Sequence, residues 1–188
     1  YSKDSGTINM KGHSKPLNIK SPQDAQNVGI STVYQEISLC PNLSVAENIY
    51  IGRQKGAMLS WKKMNEEAQK VLDSLGIAVK PTQQLASCSL AVQQMVAIAR
   101  AVDMQCKVLI LDEPTSSLDE NEVEKLFVLM RNLKERGVGI IFVTHFLDQV
   151  YEVCDKITVL RDGTLVGEYT ISELPRVQLV SKMLGKEL

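Results

Sequence analysis

From Ser89 onward the chain alternates between two kinds of run: the helix-like LAVQQMVAIARAV, then VLIL, then NEVEKLFVLMRNLKERG, then VGIIFVT, HFLDQVYEV and KITVL. Short β-branched and aliphatic runs that take turns with helical-period segments leave few ways to bury both kinds of apolar face. Strands that lie side by side with helices crossing back over them satisfy both, so the pattern predicts an α/β fold with a parallel sheet covered by helices. VLIL and VGIIFVT are expected to be buried strands. After Leu160, RDG predicts a turn into TLVGEY, and SELPRVQLVSKML predicts a closing helix.

The first half reads differently. Gly6 and Gly12 bracket TINMK, a strand-like piece, and VGISTVYQ from Val28 is a β-branched run expected to form another buried strand. From Pro41 helices take over. Ser44 with Glu47 three residues on has capping-box spacing. Ser60 is placed to cap WKKMNEEAQKVLDSLG, whose Met64, Ala68, Val71, Leu72 and Leu75 recur at helical spacing before Gly76 ends the run. This middle section, residues 36–100 in round terms, reads as a helical insert within one domain that spans residues 1–188.

Composition bounds the function. The 188 residues are 44% hydrophobic, enough for one core and little more. Lys plus Arg number 21 and Asp plus Glu 22, so no basic surplus points to nucleic acid. Cys40, Cys88, Cys106 and Cys154 lie far apart, with only His13 and His145 to help form a zinc site, and read as reduced thiols. No apolar run approaches the ~20 residues of a membrane span. The chain begins at Tyr1 rather than at a methionine, as a fragment does.

The chemistry concentrates at predicted strand ends. In VLILDEPTSSLD, Asp112 and Glu113 emerge where α/β sheets place their ligands. An aspartate there can orient water on Mg²⁺, and the glutamate can polarise an attacking water. VGIIFVTH puts His145 past a second strand, within reach of a terminal phosphate or that water. VYQE puts Gln35 past a third, where an amide oxygen can reach a metal. Ser89 opens a helix whose exposed N–H groups and dipole favour an anion. Singly, each has an ordinary reading: a solvated carboxylate, a structural histidine, a plain N-cap. Their order along the chain carries more than any one member.

In that order the sequence resembles the ATP-binding domains of ABC transporters over nearly its whole length. VLILDE resembles the Walker B strand, with Asp112 at the magnesium position and Glu113 at the catalytic-base position; SSLD resembles the D-loop through Asp119. His145 falls at the switch histidine and Gln35 at the Q-loop, a second candidate ligand for Mg²⁺. YQEISLCPNLSVAENIYIGR, QQMVAIARAV and DKITVLRDGTLVGEY look most like the first half of the double ATPases that drive bacterial pentose and hexose uptake. The resemblance implies an ABC-type P-loop NTPase core with an inserted helical subdomain, ATP and Mg²⁺ as ligands, and ATP hydrolysis that energises sugar import. It implies a place at the cytoplasmic face of the membrane, with membrane-spanning permease subunits, a second ATP-binding domain in tandem or as a dimer, and indirectly a periplasmic or extracellular sugar-binding protein.

Two departures stand out. The L-S-G-G-Q signature appears as Cys88-Ser89-Leu90-Ala91-Val92, so that Ser89, Leu90, Ala91 and nearby Gln93 occupy the nucleotide-contacting stretch without its glycines. The second departure is the lack of any G-x-x-x-x-G-K-[ST]; YSKDSGTINMKG resembles the segment that follows that loop and its helix, so the domain is read as truncated at its N-terminus. Such a truncated chain is expected to be inactive by itself. The rival readings are an ABC-type ATPase of soluble function, which would show a charged linker or long heptads, and a non-catalytic partner domain that naturally lacks the loop.

Overall fold

The computed structural model describes residues 4–35, 38–53 and 60–185. The start of YSKDSGTINMKG, the Glu36–Ile37 step that opens the expected insert, and the final KEL lie outside the described residues. TINMK contributes only a bridge, in which Leu17 N–H donates to Ile8 C=O at 2.7 Å.

The first helix, α1 (Pro22–Asn27), is one the apolar pattern did not announce, since it buries no residue. Its signal is in the caps: the Ser21 hydroxyl accepts from Asp24 N–H at 3.1 Å, and Pro22 fills the first turn, where a missing N–H costs nothing. Gly29 follows at φ +90°, a left-handed turn that side chains rarely adopt, and a Cβ there would lie 3.2 Å from Lys107 Cγ. Strand β1 (Ile30–Val33) therefore starts two residues later than Val28.

Helices α2 (Val45–Tyr50), α3 (Trp61–Leu75) and α4 (Leu90–Asp103) form where their caps predict. Both arms of the Ser44–Glu47 capping box are made, and Gly76 closes α3 in the left-handed conformation. Asn48, fully buried, accepts from Cys40 N–H at 2.7 Å and donates to the C=O groups of Cys40 and Ser44, so one amide stitches the entry loop to α2. Met64, Ala68, Leu72 and Leu75 face inward, while Val71 is half-buried at the margin.

Strand β2 (Val108–Asp112) lies in the middle of a three-stranded parallel sheet, with β1 on one side and β3 (Gly139–Val143) on the other. Register puts Ser31 and Val33 beside Leu109 and Leu111, and these beside Ile140 and Phe142. That face meets α4 and α5 (Glu120–Glu135), where Phe127 packs edge-on against Phe142 with ring centroids 6.1 Å apart. Alternation sends Ile30, Thr32, Val108, Ile110, Ile141, Val143 and Asp112 to the other face. At β3 that face is open, with Ile141 and Val143 51% and 45% exposed, while Ile30, Thr32, Val108 and Ile110 are half-buried. VLIL and VGIIFVT are thus half-buried rather than buried on both sides.

Past β3, α6 (Leu147–Val153) leads to an antiparallel hairpin of β4 (Lys156–Arg161) and β5 (Thr164–Thr170). Asp162 and Gly163, both at positive φ, make its turn. The hairpin packs with α7 (Arg176–Leu184) around Val159, Leu174 and Leu179. Parallel pairing therefore holds for β1, β2 and β3, and KITVL instead pairs only with β5 among the described residues.

Candidate active site at the strand ends

Glu113 continues the ladder of β2 by one bond, its N–H donating to Val143 C=O at 2.9 Å. It then departs from strand geometry, with φ at +49°. A non-glycine residue held there costs on the order of 1–3 kcal/mol, tolerated where the surroundings over-determine it. The result is a carboxylate turned toward the end of β3. There His145, two residues past the strand, places Nδ1 2.9 Å from Oε1 and 2.8 Å from Oε2 of Glu113. The one nitrogen is within hydrogen-bond distance of both oxygens and holds the carboxylate side-on, with Oε2 turned away from solvent. A ring nitrogen facing a carboxylate carries the proton, which leaves Nε2 as the acceptor of a ring that is 64% exposed. Phe146 flanks that ring at 4.1 Å between centroids.

Asp112 ends β2 on the open face, beside Val143. Gln35 is exposed two residues past β1, on the other side of β2. Neither side chain hydrogen-bonds another described residue, so both keep oxygen lone pairs available. No group of three His, Cys, Asp or Glu side chains converges to cage a metal among the described residues. One carboxylate and one amide with free oxygens are donors that fit Mg²⁺, which takes few protein ligands and completes its shell with waters and phosphate oxygens.

Asp119 is committed locally: it N-caps α5, accepting from Glu122 N–H at 2.8 Å in a capping box. Ser89 likewise caps α4, with Val92 N–H at 3.4 Å. Gln93 folds back to Cys88 C=O at 3.0 Å, Leu90 is 41% exposed, and Ala91 is buried at 3%. Burial pushes the Cys88 thiol up, which keeps it protonated beside this turn. None of Ser89, Leu90, Ala91 or Gln93 bonds to the Glu113–His145 pair. The structure adds a contact that no sequence signal announced: Thr115, 3% exposed, donates its hydroxyl to Gln149 Oε1 of α6 at 2.6 Å.

A parallel sheet with an Asp-Glu pair at one strand end and a histidine against the glutamate at the next is the architecture of an ABC-type ATPase cassette. The ABC transporter family model matches residues 1–116, and the chain belongs to that family. It is 52% identical over 190 residues to the galactofuranose transporter ATP-binding protein YtfR of Escherichia coli (strain K12), covering all of this chain and 38% of that protein. It is 49% identical to the fructose import ATP-binding protein FruK of Bifidobacterium longum (strain NCC 2705), over 99% of this chain and 36% of that protein. The chain thus spans less than two fifths of the length of these relatives. Among solved structures, the ADP conformation of MJ1267, an ATP-binding cassette of an ABC transporter, superposes with a TM-score of 0.76 at 22% identity, covering 91% of this chain and 72% of that one.

Proposed function

We propose that the chain is part of the ATP-hydrolysing subunit of an ABC-type sugar importer, with Glu113 as the residue that orients and deprotonates the attacking water. The observation that carries this reading is the Glu113–His145 contact, in which Nδ1 lies 2.9 Å from Oε1 and 2.8 Å from Oε2 and so fixes the carboxylate at the strand end. A carboxylate fixed in direction is what general-base action on a water requires. Mg²⁺, held through Asp112 with Gln35 beside it, supplies charge neutralisation for the phosphates. His145, with a ring that is 64% exposed, holds the direction of that carboxylate through Nδ1.

The nucleotide's phosphates need a cradle of backbone N–H groups and a lysine, which this sequence does not contain. The open face of β1–β3, ending in Asp112, supports a strand, loop and helix of the longer protein as its cover. Ser89 and the residues after it stand apart from Glu113, which supports their use on nucleotide held by a second ATP-binding domain. For the permease subunits, the reading rests on the segment PNLSVAENIYIGR after Gln35, which carries α2. The names of YtfR and FruK support sugar import, and the proposal extends this to a place at the cytoplasmic face of a membrane, with a sugar-binding protein acting indirectly.

The test is ATP turnover by the chain extended to include a phosphate-binding loop. Hydrolysis that Glu113→Gln slows while nucleotide binding persists supports the reading; wild-type turnover in that variant refutes it.

A further inference from the structure

The loop after β2 is fastened to the element after β3 at more than one place. Glu113 and His145 meet at the exposed mouth, Glu113 N–H bonds Val143 C=O, and two residues further on the buried Thr115 hydroxyl reaches Gln149 at 2.6 Å. Gln149 stands four residues after His145, one turn along α6. Thr115 and Gln149 reach neither strand-end oxygen directly, yet they span the same two loops from beneath.

Two features make that lower tie consequential. Glu113 sits at φ +49°, a conformation a glutamate leaves unless held, and leaving it would return the carboxylate to the alternation of β2 and away from His145. His145 immediately precedes Phe146, the N-cap of α6, which makes no side-chain cap bond; only the Thr144 hydroxyl, accepting from Phe146 N–H at 3.1 Å, restrains that step locally. The Thr115–Gln149 bond restrains both at once.

We propose that Thr115 and Gln149 are positioning residues that keep the Glu113 carboxylate and the His145 imidazole in register for hydrolysis; this rests on Glu113 acting on the attacking water. The requirement is chemical: a hydroxyl at 115 and an oxygen acceptor at 149. Thr115→Ser and Gln149→Glu retain the bond, whereas Thr115→Val and Gln149→Leu remove it with little change of volume.

The experiment uses the complete ATPase, phosphate-binding loop included. Thr115→Val and Gln149→Leu are each expected to lower kcat for ATP hydrolysis about tenfold, the scale of a small misplacement, with KM for Mg²⁺-ATP unchanged. The double variant is expected to be no slower than either single one, and Thr115→Val to add nothing in the Glu113→Gln background. Deuterium uptake without nucleotide is expected to rise over residues 112–119 and 144–151 and nowhere else. Thr115→Ser and Gln149→Glu should restore kcat. Unchanged kcat in both Thr115→Val and Gln149→Leu overturns the proposal, as does an equal loss with and without Glu113. If Thr115→Val does not fold, Gln149→Leu, on a half-exposed helix face, decides alone. Wild-type turnover by Glu113→Gln, measured first, instead refutes the role given to Glu113.

Discussion

The His145 imidazole lies 2.9 Å from Oε1 of Glu113, joining two residues 32 positions apart that close the ends of neighbouring parallel strands. One nitrogen thereby sets the direction of the carboxylate, since Oε2 lies 2.8 Å from it as well.

Glu113→Gln keeps the shape and removes the base. In the ATPase with its phosphate-binding loop, hydrolysis is expected to fall by ~10² to 10⁴ with ATP binding retained, the range for losing a general base. Single-turnover hydrolysis alongside equilibrium nucleotide binding separates the two effects. His145→Ala should reduce turnover too, and less than additively with Glu113→Gln because the two act as a unit.

Residues 1–188 alone are expected neither to bind Mg²⁺-ATP at micromolar concentration nor to hydrolyse it. Asp112 and Glu113 face a polyanion there with no phosphate cradle to offset their charge. Calorimetric titration checks this, and stoichiometric binding by the isolated chain contradicts it.

The sheet face that is open at β3 should make the isolated chain associate and bind hydrophobic dyes. Ile141, 51% exposed, is the side chain to change. Ile141→Lys should reduce association of the isolated chain, followed by sedimentation. In the longer protein the same change should cost on the order of 2–5 kcal/mol, because the face is proposed to be buried there.

Asp103 holds the C-terminal end of α4 to α2: it accepts from Arg53 Nη1 at 2.6 Å and from the Tyr50 hydroxyl at 3.3 Å. Asp103→Ala leaves both donors unpaired and should cost about 1–3 kcal/mol in chemical denaturation. Burial, and next the charge of Asp103, push the Tyr50 phenol up from 10.0 to about 12. A raised value favours the protonated form in the folded state, so the stability Tyr50 lends is whole below pH 10 and is lost as pH rises toward about 12. Tyr50→Phe should flatten that part of the stability profile, and an unchanged profile in this variant would show that the phenol does not set it.

Local chemistry determined much of this protein without any tertiary information. Ser44, Ser60 and Ser89 announce their helices because capping is a contact between residues three apart, and Gly76 ends α3 because it alone turns left-handed freely. Strand order, Asp112 and Glu113 at a strand end, and His145 past the next strand were legible because apolar runs and their punctuation are local too. Burial was not: VLIL and VGIIFV look the same whether one face or both are covered, and only packing leaves Ile141 and Val143 open. Pairing was not either, since β4 meets β5 across a two-residue turn while no described strand joins it to β3. The positive φ of Glu113, its meeting with His145 and the Thr115–Gln149 bond depend on register between β2 and β3. Register is set by long-range hydrogen bonding, so the residues were visible in sequence and their geometry came only with the fold.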